Sequence, residues 1–510
     1  MGAAAAVVAG SVLLSRILGL GREALIAGLI GVNAETDLYR FAFSIPDFLN
    51  YLLAGAYLTI TLVPILSRHL ELADEERMNR AFSSVFKFVS LAIVGLTAAL
   101  WLSAGPLIDL VFPEVDDPAR LVTLTRIVLP AQIFLVIGAL LMAYQYTQRR
   151  FLSPAMAPIV YNLGIIGGGL IGAAVGDPSP EYFLWGAVAG SALGNFGLQW
   201  IGARRLGMRI VPVPRGESSI GEYLLLALPL MLGQSIAVLD EQFINWFGQV
   251  EEGAAAALNF ARRLNMVPIG VIAQAAGVAA FPFLARLAAR GDEGELVETT
   301  GRAARNTIFA AAAATAALVV IAKPMVRLVY QYGEFTASDT ELVTSLLVIY
   351  ALSIPAWGLH QILARHFYAK RKMWTPVAIG TAGAIVAVPL WLGLYDALGI
   401  EGFALASTLI MTAYSLGLLV AWGRDSGWAA VRRLAPSFGR GLAAAAAAAV
   451  ITIPLLDLVF SGSEGIGQRL AEAVVGGVGA LVVFAGASRL MRSPELADIM
   501  NRRQRGSSAV

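Results

Sequence analysis

Apolar positions dominate this chain in long blocks, and polar positions gather in short clusters between them. The blocks run to about 20 residues or more, long enough to cross a bilayer as helices at about 1.5 Å per residue. Fourteen such runs can be counted, centred near residues 17, 52, 95, 135, 165, 193, 233, 270, 312, 352, 385, 412, 447 and 478. The pattern predicts an all-α polytopic membrane protein with 14 transmembrane helices.

The clusters between the runs sort by charge. One set is basic, at 68–80, 149–150, 204–215, 286–305, 370–372, 424–440 and in the tail 489–505. The alternating set, at 33–36, 114–118, 177–181, 251–252, 333–341, 395–402 and 461–465, carries acids and essentially no Lys or Arg. By the positive-inside rule, the basic set and both termini are expected in the cytoplasm. That arrangement requires an even number of spans.

The chain also resembles itself. Leu62 to Arg68 reads against Ala280 to Arg286, and Gly105 to Val111 against Lys323 to Val329, both at an offset of 218 residues. Gln148 to Pro154 reads against Arg371 to Pro376, with the prolines 222 apart. Six spans separate each pair, so the copies share an orientation. Parallel repeats predict two six-helix lobes, 1–216 and 217–430, with a binding site between them. The remainder, 431–510, holds two helices without a counterpart, Ser437 to Phe460 and Leu470 to Met491, and a basic tail. Those two helices read either as ballast or as a surface that guides a lipid.

Composition narrows the function. With 57% hydrophobic residues, 14% charged residues and a mean hydropathy of +0.71, this is not a soluble domain. A net charge of +2 gives no bulk basic character for binding nucleic acid. Cysteine is absent, which excludes disulfides, thiolate metal sites and thiol catalysis. His69, His360 and His366 are too scattered for a metal site. No phosphate loop, nucleotide fingerprint or Ser/His/Asp arrangement occurs, so neither an enzyme nor a cofactor is expected, apart from an unidentified coupling ion. The first run lacks a basic leader and a cleavage site and is expected to be retained.

Charges inside the runs carry the candidate chemistry. Arg16 and Arg22 lie six residues apart in the run from Ala3 to Ile30. Each costs roughly 2.5 to 3.5 kcal/mol at the centre of a membrane helix, so they should face water, a carboxylate or an anionic ligand. Gly19 and Gly21 thin the helix between them. Asp37 is the nearest candidate counter-charge; alternatively, Arg22 and Glu23 sit at a helix end and snorkel to the headgroups. Further inside the runs are Arg40, Asp240-Glu241 and Arg262-Arg263, and all could converge on one central cavity. Asp240-Glu241 reads either as a buried pair with Arg262 or Arg263 or as a titratable, cation-coupling site.

These residues resemble a known family. Ser15-Arg16-x-Leu18-Gly19-x-x-Arg22-Glu23, Thr36-Asp37, Ile45-Pro46 and Val63-Pro64 are similar to the opening of the MurJ (MviN) lipid II flippases of the MOP transporter superfamily. Leu258 to Leu264, Tyr332-Gly333-Glu334-Phe335-Thr336 with Asp339-Thr340, and Leu363 to Ala369 match its second half. The resemblance implies fourteen spans, a central cationic cavity, alternating access, and a prenyl-tail groove made by the last two spans. It implies export of undecaprenyl-pyrophosphate-linked peptidoglycan precursor across the bacterial cytoplasmic membrane, in the service of the cell wall and cell shape. Arg16, Arg22 and Arg263 match arginines that hold the pyrophosphate, and Asp37 matches a required acid.

The chain departs from the family in places. A basic pair in the second span falls on Asn50 and Tyr51, and a glutamate on Gly55; Arg40 is an extra arginine that could restore the charge from another turn. A tenth-span lysine is Gln361. The acid of a sodium site is matched by Asp240, but its eleventh-span partners fall on Ala387 and Trp391. The expected substrate-binding set is therefore Arg16, Arg22, Arg263, Arg40 and Asn50, and the gating or ion-coupling set Asp37, Asp240 and Glu241, in a chain expected to be monomeric. A flippase for another polyprenyl-linked glycan and a cation-coupled drug exporter are the competing readings. A membrane glycosyltransferase would need catalytic acids on a long outer connection, and these are short.

Overall fold

The computed structural model describes residues 2–53, 57–72, 74–214, 217–234, 239–460 and 465–496. Within them it describes side chains except at 2–9, 51–53, 57–60, 228–234, 239–241, 274–275 and 278–279. Among the described residues every regular element is a helix. In a bilayer this is what apolar runs must do, because a helix satisfies its backbone groups within itself where no water can.

Eight of the described helices are long and apolar enough to cross a membrane, among them Glu75–Leu102, Leu152–Val175, Glu293–Val329 and Ile466–Leu490. The longest, Trp374–Ser426, has 53 residues and would extend roughly 80 Å if straight, far beyond a bilayer. It is not straight: Gly399, at φ 62° and ψ −143°, breaks it into two helices. Large side chains such as Leu91, Leu225, Leu458 and Leu490 stand on the outside, as they would against lipid tails.

The chain packs as two compact units, Met1–Ala256 with Tyr332–Thr336, and Ala257–Gln331 with Ala337–Val510. The first has a core of Leu62, Phe82, Leu140 and Tyr144, drawn from the Tyr57–Glu71, Glu75–Leu102 and Ala131–Thr147 helices. The second centres on Ile308, Ile362, Phe367 and Trp422.

Two local structures recur at the offsets found in the sequence. Asp74 caps its helix by accepting from the Arg77 N–H at 2.9 Å, and Asp292, 218 residues on, accepts from the Glu295 N–H at 3.0 Å. Arg149 and Arg371 both adopt left-handed backbone, at φ 57° and 58°. In each turn the next residue's N–H reaches back five positions: Arg150 to Gln145 O at 2.9 Å, Lys372 to Phe367 O at 2.8 Å. The helices that follow begin at Leu152 and Trp374.

Of the prolines, Pro46, Pro64, Pro268 and Pro282 lie inside helices, and Pro130 joins Pro118–Val128 to Ala131–Thr147. After Pro268 the chain widens into a π-helical stretch, Ile269–Gln274, where the missing N–H breaks the regular ladder.

Candidate functional site

The centre of the candidate site is a charged cluster inside the first unit. Arg22 donates through Nη2 to Glu23 Oε1 at 2.6 Å, and Arg40 donates to the other oxygen, Oε2. Arg22 Nη1 also donates to Asn162 Oδ1 at 3.2 Å. The Glu23 side chain is 1% exposed, whereas those of Arg22 and Arg40 are 14% and 11% exposed. One fully buried carboxylate thus bridges two guanidinium groups that keep a little access to the outside of the protein.

Local folding explains why these four meet. Gly2–Leu29 ends at a turn through Gly31, whose φ of 92° suits a residue without a Cβ, and Ala34–Leu53 then runs back. Glu23 and Arg40 stand equally far in sequence from that turn, so the two helices bring them level. The Leu152–Val175 helix packs beside Gly19, where a Cβ would meet Asn162 Oδ1 at 3.9 Å, an ordinary van der Waals contact. Asn162 is itself oriented, its Nδ2 donating to Pro158 O at 2.8 Å. The Arg22 Nε–H is buried without an acceptor among the described residues.

Within Arg22, Glu23 and Arg40, two guanidinium groups share one carboxylate. Burying a lone guanidinium would be costly, and a hydrogen-bonded carboxylate offsets that cost. Planar guanidinium forks are well matched to phosphate oxygens, so what the cluster can do chemically is hold an anion.

Asp37 is not the counter-charge. Its carboxylate is occupied elsewhere, Oδ2 accepting from the Gly253 N–H at 2.6 Å and Oδ1 from the Ala256 N–H at 2.7 Å. It caps the helix Ala254–Pro268, whose first N–H groups have no partner within the helix. Glu23 takes the role the sequence suggested for Asp37, and the snorkelling alternative fails for Arg22 and Glu23 because both are held in place inside the unit. The signal was present: an acid beside the arginine in the same apolar run.

Around Asp37 the acidic connections close on one another. Glu334 N–H donates to Gly28 O at 3.0 Å, Thr36 Oγ1 to Gly31 O at 2.8 Å, and Ala34 N–H to Glu252 Oε1 at 3.3 Å. Arg120 grips both oxygens of Glu35 at 2.8 Å and Glu181 Oε1 at 2.8 Å. Deeper in, Asn245 Nδ2 donates to Ser44 Oγ at 2.8 Å, a buried link that the sequence did not announce.

The other expected residues are found on three helices. Arg16 is exposed on the first helix, Arg263 is exposed on Ala254–Pro268 in the second unit, and Asn50 is half-buried near the end of Ala34–Leu53. The side chains of Tyr51, Asp240 and Glu241, and all of Gly55, lie outside the described residues. Ala387 is buried, and Trp391 donates from Nε1 to Ser407 Oγ at 3.0 Å and stacks on Phe403, so packing fills these eleventh-span positions. Among the described residues no group of His, Asp and Glu could hold a metal ion.

Comparison with known proteins supplies the context for this cluster. Residues 26–466 match the family described as "Lipid II flippase MurJ". A "Probable lipid II flippase MurJ" of Rhizobium meliloti (strain 1021) is 29% identical over 440 residues, covering 82% of this chain and 81% of its own. A "Lipid II flippase MurJ" of Burkholderia cenocepacia is 28% identical over 394 residues, covering 74% and 75%. Among solved structures, "Lipid II flippase MurJ, inward closed conformation" matches with a TM-score of 0.77 at 21% identity, over 95% of this chain and 99% of that one. A "multidrug resistance MATE family transporter of the MOP superfamily" in its inward-facing conformation matches at 0.62 and 16% identity, over 82% and 96%.

Proposed function

The chain belongs to the lipid II flippase MurJ family, and on that footing we propose that it moves lipid II from the inner to the outer leaflet of the bacterial cytoplasmic membrane by alternating access. It is a multi-pass transporter and not an enzyme. The observation that carries the site assignment is Glu23 shared between Arg22 and Arg40, two guanidinium groups held by one buried carboxylate.

In this reading the diphosphate of the polyprenyl carrier binds at the Arg22 and Arg40 guanidinium groups. Glu23 keeps both guanidinium groups aimed while the site is empty, so little ordering is needed when substrate arrives. Arg40 replaces the basic pair that the second span lacks, with Asn50 further along the same helix. Arg16 and Arg263 complete the clamp as substrate traverses the cavity. Asp240 and Glu241 are the gating or ion-coupling candidates, and the carrier acts as a monomer.

The finer architecture belongs to the same proposal. Fourteen spans are supported by the fact that thirteen of the expected centres fall within a helix, the centre near 352 falling in the short turn between Ala337–Ala351 and Ile354–Ala369, and that Gly399 divides the longest helix. Two parallel lobes at 1–216 and 217–430 are supported by the recurring Asp74/Asp292 caps and Arg149/Arg371 turns. The region 431–510 then guides the prenyl tail, with both termini in the cytoplasm. Asp37 works as an outer latch: its two bonds to Gly253 and Ala256 tie the start of the first lobe to the second and must break for the outer side to open.

The test is replacement of an essential lipid II flippase by this chain. Wild type should sustain growth, while Arg16→Ala, Arg22→Ala and Arg263→Ala, expressed at wild-type level, should not. Growth of all three variants would remove the arginine clamp. A wild type that fails to sustain growth yet moves another polyprenyl-linked glycan in vesicles would transfer the assignment to that substrate.

A further inference from the structure

The second unit holds a cleft of about 580 Å³. It lies where three basic connections meet: 286–305, 424–440 and the start of the tail at 489–496. Arg305, Arg433 and Arg440 line it, together with Ser437. Its lining acids are already engaged: Glu298 accepts from Arg302 at 2.6 Å, and buried Glu495 accepts from the hydroxyls of Ser437 and Ser493. Arg440 comes only within 3.8 Å of Glu495, and its buried Nε–H has no acceptor among the described residues. Among those residues neither Arg305 nor Arg433 has a carboxylate at ion-pair distance.

We propose that this cleft is a headgroup site for an anionic phospholipid of the cytoplasmic leaflet, its phosphodiester held by Arg305, Arg433 and Arg440. Positive charge in excess of acids fits a phosphate, and guanidinium groups match phosphate oxygens geometrically. A lipid is the source and not a soluble anion, because the lining comes from the starts of two membrane-length helices, Glu293–Val329 and Trp428–Val459, and from residues just after a third, Ile466–Leu490. An acyl chain can run beside those helices in the bilayer while the head stays in the cleft. Position agrees: basic pockets at the cytoplasmic ends of membrane helices face the leaflet that is richest in anionic headgroups. The site shares no residue with the Arg22 cluster, so it serves as an anchor or regulator and not as a transport position.

Native mass spectrometry of the purified full chain in detergent tests this, titrating either phosphatidylglycerol or phosphatidylcholine. Wild type should retain phosphatidylglycerol selectively. Arg305→Gln/Arg433→Gln should weaken it roughly 30-fold, about fivefold per arginine, and leave phosphatidylcholine unchanged. Arg77→Gln, which removes an exposed arginine paired with Asp74 in the first unit, should bind as wild type. If the double variant fails to accumulate, Arg433→Gln alone, at an exposed position, should show the fivefold loss. Equal phosphatidylglycerol affinity in the arginine variants overturns the proposal. So does saturation by millimolar inorganic phosphate that the lipid cannot displace, which would make this a free-anion site.

Discussion

At the scale of single residues, the decisive one is Glu23. A carboxylate 1% exposed between two guanidinium groups is tolerable only while all three are charged and bonded. Glu23→Gln keeps the shape and removes the charge, leaving two buried cations face to face. Thermal unfolding of the purified variant should report a loss of about 3 to 5 kcal/mol. Glu23→Gln/Arg40→Gln should regain much of it, because one guanidinium with neutral partners is less costly than two; additivity of the two losses would show that they do not interact. The arginines were legible in the sequence, since charge in an apolar run advertises itself. Their partner was not, because pairing Glu23 with Arg40 depends on the turn at Gly31 returning the second helix at one register. Asp37 was legible as important but not in its role: a helix N-terminus 216 residues away cannot be inferred as its partner from spacing.

At the scale of elements, close helix approach and capping carry the argument. Gly168 on Leu152–Val175 is so near Pro180–Gly190 that a Cβ would stand 2.1 Å from Tyr182 O, whereas at neighbouring Gly167 nothing lies within 4 Å. Gly168→Ala should therefore force the helices apart and cost about 1 to 3 kcal/mol, while Gly167→Ala should be neutral or gain up to about 1 kcal/mol of helix propensity. A melting comparison of the two variants checks this, and equal effects would mean that the helix contact is not limiting. The acidic connections offer a second test. Because the chain has no cysteine, Ala34→Cys would be a unique thiol in the closed cluster of acidic connections, which the proposed topology places outside the cell. Asp37→Asn weakens two charge-assisted bonds that cap Ala254–Pro268, each worth about 1.5 to 3 kcal/mol. Labelling of that thiol by a membrane-impermeant maleimide should quicken about tenfold or more. Helix positions were largely readable from apolar run length. The span count was harder, because helices such as Ala34–Leu53 carry Glu35, Asp37, Arg40 and Asp47 and so fall short of a simple test of length and apolarity.

At the scale of the whole molecule, the question is what drives transport, since no nucleotide-binding pattern occurs in the sequence and Ala387 and Trp391 offer no ligand to a coupling cation. The membrane potential is sufficient in principle. A polyprenyl diphosphate diester carries about two negative charges, and each is worth about 2.3 kcal/mol per 100 mV, so export from a negative interior is downhill by roughly 4 to 5 kcal/mol. A binding site with more guanidinium groups than carboxylates, as proposed for Arg22 and Arg40, favours that route: it makes the loaded carrier tolerable in a low dielectric without neutralising the cargo and so removing its response to the field. A strongly cationic cavity would hold the diphosphate too tightly to release it, and a neutral one would leave it uncompensated. In proteoliposomes with a potassium diffusion potential, fluorescent lipid II should move faster towards the positive side, and reversing the sign of the potential should slow it several-fold. Arg40→Gln should lower the rate at every potential while preserving the direction of the effect. A rate indifferent to the sign of the potential would make an ion gradient the driver and shift attention to Asp240 and Glu241.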